Sequence, residues 1–210
     1  MTSMTGKACG LWFGIVGLGI ACAVAGCAPG PRPRSDPYAE AASKTQAPLQ
    51  RFDERSGATW FVVRSPIVLA RARTDVAANV RDYATLVALQ EDHAGQYATW
   101  LVVHRWSTVD PRFTADRGVA SGQLTLVADG RSIALAPAPA PPPILARADL
   151  LWVPRAHGVQ SFIYPIDVAT LRYLAATHEW SLHFDQDAWP DAYTLWQDGR
   201  AALQGLLLAR

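Results

Sequence analysis

Cysteine is almost missing from this chain. Three occur in 210 residues, Cys9, Cys22 and Cys27, and residues 28–210 hold none. The body of the chain therefore has no disulfide, no thiolate metal site and no cysteine nucleophile, and it must fold by burial alone. Lysine is scarce as well: Lys7 and Lys44 are the only two, so arginine carries nearly all the positive charge. Neither sign of charge is in excess, with 19 Lys+Arg against 18 Asp+Glu. That balance excludes the basic footprint of a nucleic-acid binder and leaves no acidic tail. Also missing are a phosphate loop, a dinucleotide fingerprint, a G-x-S-x-G elbow and a supported pair of catalytic carboxylates. No cofactor and no metal are expected.

The amino terminus holds the one long hydrophobic run. Residues 8–25, ACGLWFGIVGLGIACAVA, carry no charge and follow a start with a single cation, Lys7. A basic start, an apolar core and small residues at the exit describe a secretory signal peptide. Eighteen residues also just reaches the span of a membrane helix. Arg32 and Arg34 lie just beyond the run, where translocation disfavours positive charge. Ordinary cleavage at the A-x-A step Ala23-Val24-Ala25 is a further alternative.

The run ends in Val24-Ala25-Gly26-Cys27. An aliphatic residue three positions before a cysteine, then two small residues, resembles the lipobox of bacterial lipoproteins. The resemblance implies cleavage between Gly26 and Cys27, a thioether from the Cys27 sulfur to diacylglycerol, and acylation of the new α-amine. Two or more acyl chains anchor stably where one holds only marginally. Ala28 follows the cysteine where an aspartate would retain a lipoprotein at the inner membrane. The resemblance thus implies the outer membrane, with the periplasmic face as the address. Cleavage would leave 184 residues and remove Lys7, bringing the formal charge to zero.

Composition divides the chain into a leader at 1–26, a lipidated cysteine with a Pro-rich tether at 27–55, and one globular domain at 56–210. Prolines at 29, 31, 33 and 37 make the tether extended and semi-rigid. The domain opens with TWFVVRSPIVLARAR, two short strands or one bent strand with a kink at Pro66. The stretch 80–110 reads as a hairpin of two β-rich runs around the polar connector EDHAG. Its second run is apolar on both faces, which predicts a central strand covered on both sides. GQLTLVADGRSIALAP is a second hairpin, with Asp129-Gly130 suited to a type I′ turn. APAPAPPP, 136–143, reads as an exposed PPII-like loop or a cover for a sheet edge. DLLWVP and QSFIYPI read as strands. DVATLRYLAAT then gives a helix capped by Asp167 with Leu171, Leu174 and Ala175 on one face. EWSLHFD and AYTLWQ return as paired strands, and AALQGLLLA closes as a helix. The fold class is α+β: a mainly antiparallel sheet or sandwich with two helices in the C-terminal third. The hairpin region, through Tyr83, Gly95 and Trp106-Ser107-Thr108, is similar to proteobacterial envelope lipoproteins of uncharacterised function, and that likeness implies no activity.

Several constellations suggest chemistry. His178-Glu179 with His183 approaches the zinc motif H-E-x-x-H, yet the second histidine falls at i+5 and on a strand, which separates the rings. Asp185, Asp187 and Asp191 could supply oxygens to calcium, though the spacing lacks the EF-hand glycine and glutamate, and a solvated turn explains them. His104, Ser107 and Asp110 suggest a triad, but His104 and Ser107 point to opposite sides of a strand. Arg71, Arg73 and Arg81 could form an anion patch, or be satisfied by Asp75, Asp82 or Glu91. Tyr83, Trp100, Trp106 and Trp152 could line a groove for a glycan or lipid, where the alternative is ordinary core packing.

With an anchor, a tether and no catalytic constellation, the leading expectation is a protein-binding or scaffolding module of the cell envelope. The alternatives are a binder of glycan, lipid or a small molecule, and a hydrolase of envelope polymers. The expected partners are the membrane, through the anchor, and an envelope protein, with no nucleic acid.

Overall fold

Ten strands and two helices follow one another among the described residues. The computed structural model describes residues 47–108, 122–140, 142, 151–185, 187 and 191–209, all within one compact unit, residues 36–210. The leader, Cys27 and the first part of the expected tether lie outside the described residues. The strands are β1 (Leu49–Asp53), β2 (Ala58–Val62), β3 (Ile67–Ala72), β4 (Arg81–His93), β5 (Gln96–Ser107), β6 (Leu124–Ala128), β7 (Arg131–Leu135), β8 (Gln160–Pro165), β9 (Trp180–Phe184) and β10 (Tyr193–Gln197). The helices are α1 (Val168–Ala176) and α2 (Arg200–Leu208). The chain is α+β, a mainly antiparallel curled half-barrel with two helices.

The long strand β4 organises the sheet. One of its edges carries β2 against Leu89–Asp92 and then β3 against Arg81–Leu86. Its other edge pairs with β5 along the whole length. The kink at Val63–Pro66 lets a single bent segment serve as two strands, because Pro66 cannot donate to a ladder. From β3 the sheet runs on through β10, β9, β6 and β7, while β5 passes to β8. Beyond β7, Ala138 N donates to Ile163 O of β8 at 2.7 Å, so part of the 136–143 stretch lies against the opposite end of the curl.

Both tight hairpins use left-handed backbone. Ala94 and Gly95 (φ 52° and 85°) join β4 to β5, and Asp129 and Gly130 (φ 44° and 80°) join β6 to β7. Positive φ at two successive residues matches the strand twist of a type I′ turn. The Asp129 carboxylate does a second job: it accepts from the backbone N–H groups of His178 and Glu179, tying the turn to the start of β9.

Two apolar clusters lie on opposite faces of the sheet. On the concave face, Leu69, Leu86, Leu101, Val103, Leu126 and Leu182 pack under Leu171 and Leu174 of α1 and Leu203 and Leu206 of α2. Each such side chain contributes about 1.5–3 kcal/mol when fully buried. Asp167 caps α1, its carboxylate accepting from Thr170 N at 2.7 Å. On the convex face, Trp60, Val62, Val87, Leu89 and Val102 pack with Leu151. Strand β5 is thus covered on both sides, as its composition requires.

Two expectations need correction. Strand β1 falls inside the stretch 27–55 expected to be tether and pairs with β2 from Leu49↔Val62 to Asp53↔Ala58. The folded domain therefore starts before residue 56. Alternation in LQRFD is too weak to show from sequence, since only Leu49 and Phe52 are large and apolar, and Phe52 stays exposed. DLLWVP is no strand over Leu151–Pro154: that segment is irregular, with Leu151 buried as a plug for the convex cluster and Trp152 exposed.

Candidate functional site

Strands β3, β4, β5 and β10 bring aromatic side chains together on the convex face. Alternation along a strand puts Val68, Tyr83 and Trp106 on that side. Tyr83 and Trp106 are direct cross-strand partners. Their rings stack with centroids 4.3 Å apart and planes 14° from parallel. The Trp106 orientation is fixed by its indole N–H, which donates to Thr85 Oγ1 at 3.0 Å. Strand β10 adds Trp196 through an irregularity: the register against β3 shifts between Leu195 and Gln197. A bulge re-aims the extra side chain, and the Trp196 ring meets Tyr83 edge-on at 6.5 Å.

These rings, with Pro66, Val68, Trp152 and Gln197, line an open groove of about 410 Å³. Trp196 is 58% exposed and Trp152 42%. Two large indoles left in water beside a stacked Tyr–Trp pair form a flat apolar shelf, the kind of concave, mostly apolar surface that ligands use. None of the described residues lining it is acidic. The Arg81 guanidinium lies 4.6 Å from the Trp196 ring centre. The nearby Asp198 carboxylate is engaged by Arg200, at 2.6 Å from Nη2 and 2.8 Å from Nε. That pair draws the Asp198 pKa below the usual carboxylate value, against an opposing contribution from burial.

Of the four aromatic residues expected to form a groove, Tyr83, Trp106 and Trp152 line it. Trp100 does not: it packs with the Trp60 and Val87 cluster. It shares a face of β5 with Trp106, yet six residues at about 3.3 Å each separate them by roughly 20 Å. Face alternation is legible in sequence, while position along the strand relative to β10 is not. Trp196 was missed for the same reason, since only the bulge in β10 turns it to this side.

Between Trp100 and Trp106 on this face lies His104, whose Nδ1 sits 2.8 Å from Ser161 Oγ on β8. Burial pushes the imidazole below the ordinary histidine pKa, and the Trp152 backbone opposes part of the shift. Ser107 points to the other face and donates to Asp82 Oδ1 at 2.6 Å. His104 and Ser107 therefore form no triad, and Asp110 lies outside the described residues.

The concave face ends in a buried ionic network. Arg71 reaches Asp82 at 2.9 Å and Asp187 at 2.8 Å. Arg73 grips Asp75 through two hydrogen bonds, at 2.8 and 2.9 Å, and reaches Asp82 at 3.1 Å. Arg105 adds a contact to Asp187 at 3.0 Å. Three guanidiniums meet three carboxylates, so the network is neutral and leaves no anion site. Burial works against the Asp82 carboxylate, but the Ser107 hydroxyl, Arg71 and Arg73 outweigh it and hold its pKa below the usual value. The arginine patch expected at 71, 73 and 81 thus divides: Arg71 and Arg73 are structural, and Arg81 lies against Trp196 beside the groove. Asp187 is no solvated turn residue, since its side chain is only 5% exposed.

His178 and His183 are exposed, and His183 sits on β9 rather than on a helix. Among the described residues no group of three or more His, Cys, Asp or Glu side chains could hold a metal ion. No described helix is long and apolar enough to cross a membrane. No family of known proteins matches the chain, and neither a curated protein nor a solved structure matches it.

Proposed function

We propose that this chain is a bacterial envelope lipoprotein whose domain binds a glycan in the groove between Trp152 and Trp196. The anchor is Cys27, acylated after loss of residues 1–26, and the address is the periplasmic face of the outer membrane. The observation that carries the ligand reading is the groove itself: two exposed indoles flank a stacked Tyr83–Trp106 pair. Sugar rings present flat C–H faces edged with hydroxyls. The shelf offers aromatic faces to the former, and Gln197 offers a side-chain amide to the latter. A lipid would need a deeper, drier cavity than this open groove to cover its chain.

The test is a titration of the full chain, purified in detergent micelles, against an oligosaccharide array. Binding that Trp196→Ala and Trp152→Ala each weaken by roughly tenfold, equivalent to about 1.4 kcal/mol, supports the reading. Both rings are largely exposed, so neither truncation empties a core. Absence of binding across the array refutes it.

A second reading, a protein-binding or scaffolding module, draws on Phe52. That ring is 58% exposed on β1, a strand that ends the sheet path, and an edge strand is a template for pairing with another chain. Crosslinking in native membranes that captures one partner, lost on Phe52→Ser, favours this reading.

A further inference from the structure

The charge around the groove narrows what it takes. Among the described residues the Arg81 side chain has no carboxylate partner; its contact is the Trp196 ring, 4.6 Å from Cζ. Its backbone is held independently: the amide donates to Thr108 Oγ1 at 3.0 Å, and the Thr108 hydroxyl donates back to Arg81 O at 3.0 Å. The guanidinium thus lies over an exposed aromatic ring at the groove's edge, and among the described residues its fork of N–H donors meets no carboxylate. Four other arginines are handled differently, while Arg131, away from the groove, also lies over an aromatic ring, 4.9 Å from the Tyr173 centre. Arg71, Arg73, Arg105 and Arg200 all end on carboxylates. Asp198 could serve Arg81 only by leaving Arg200, which it holds through both carboxylate oxygens.

We infer that the groove selects a carboxylate-bearing oligosaccharide, with sugar faces on Trp152 and Trp196 and one carboxylate on the Arg81 fork. This rests on the glycan reading and adds the substrate class to it. Charge complementarity carries the choice. The cation at the rim and the lack of an acidic residue among the described lining disfavour a cationic ligand, which would need a carboxylate or an open aromatic cage. One planar fork matches one planar carboxylate in charge and geometry. A phosphate carries closer to two charges, and the groove offers it one cation.

The experiment uses uronate oligosaccharides, tetramers of galacturonate, mannuronate, guluronate and glucuronate-containing repeats, together with muramyl oligosaccharides. Each acid is paired with its carboxyl-reduced neutral form and titrated calorimetrically into the full chain in detergent micelles at low and at physiological salt. At least one acid binds about three- to tenfold more tightly than its reduced form, as expected for a charge-assisted contact worth about 0.7–1.4 kcal/mol. Arg81→Gln removes that preference while leaving the reduced form's affinity unchanged, and Arg172→Gln, on the exposed side of α1, changes neither. The preference shrinks as salt rises. If acids and their reduced forms bind equally, the inference fails and the glycan reading stands. If neither form binds in any pair, or if Trp196→Ala leaves binding intact, the glycan reading fails with it. A peptide of residues 28–37 that saturates the groove more tightly than any sugar, or a dimer that Trp196→Ala dissolves, reassigns the groove and overturns both.

Discussion

Asp187 Oδ2 lies 2.8 Å from Arg71 Nη1, joining residues 116 positions apart in the chain at the end of the concave face. That contact anchors the segment before β10 to β3, and β10 in turn delivers Trp196 to the opposite face. The ionic network therefore supports the groove without touching it.

Asp82 is the hub of the network, with Arg71, Arg73 and Ser107 all bound to its carboxylate. Asp82→Asn leaves two buried guanidiniums short of a counter-charge and costs about 3–5 kcal/mol. Tyr193 gives the contrast. Among the described residues its buried hydroxyl has no hydrogen-bond partner, and burial pushes its pKa up to about 12. Tyr193→Phe removes an unsatisfied group and leaves stability unchanged or slightly higher. Urea unfolding of the two variants beside the parent checks both.

Stability falls with acid in two separate windows. The folded pKa of His104 lies below its ordinary value of 6.5 because burial disfavours the cation. Its contribution is full above the unfolded value and is lost as pH falls from about 6.5 toward the folded pKa. Asp82 likewise has a folded pKa below 3.8, so its contribution holds above about pH 3.8 and is lost as pH falls through the folded value. The urea midpoint thus begins to drop as pH falls through about 6.5, and drops again as pH falls below about 3.8. His104→Gln flattens the first step and spares the second.

Gly199 couples α2 to the groove wall. A Cβ there would sit 2.4 Å from Pro66 O and 2.8 Å from Ser65 O, both backbone atoms. Gly199→Ala must displace the kink that carries Pro66, at a cost of about 1–3 kcal/mol. Because Pro66 lines the groove, ligand affinity falls together with the melting temperature. Trp196→Ala lowers affinity alone, and measuring both quantities on both variants separates the two effects.

How much of this was legible in the sequence depends on which kind of information each feature needs. Alternation in WSLHF and the apolar faces of β5 are local patterns, so those strands and their covered faces could be read directly. So could α1, through Asp167 and the spacing of Leu171, Leu174 and Ala175. The pairing of β2 and β3 on one edge of β4 is long-range and has no local signature. Nor does the role of Asp187, whose burial comes from Arg71 and Arg105 on distant strands. In the groove, the stacked Tyr83–Trp106 pair follows from hairpin register, whereas Trp196 needed the β10 bulge and Trp100 fell away on distance along the strand.

The anchor makes its own prediction. Cys27→Ala prevents lipid attachment, so the variant keeps residues 1–26 or is cut elsewhere, and it leaves the outer-membrane fraction. Intact mass of the native chain shows a start at Cys27 and added acyl mass. A free thiol at Cys27, or a leader still attached, contradicts the assignment.

The most direct test of the central claim reads the indole N–H signals of the full chain in micelles by ¹⁵N-resolved NMR during titration with the tightest oligosaccharide. Trp152, Trp196 and Trp106 shift or broaden, while Trp60, buried in the convex cluster, and Trp100, half-buried against it, hold still. Shifts confined to Trp60 and Trp100, or no indole shift at a ligand concentration that saturates binding by calorimetry, would place the ligand outside the groove.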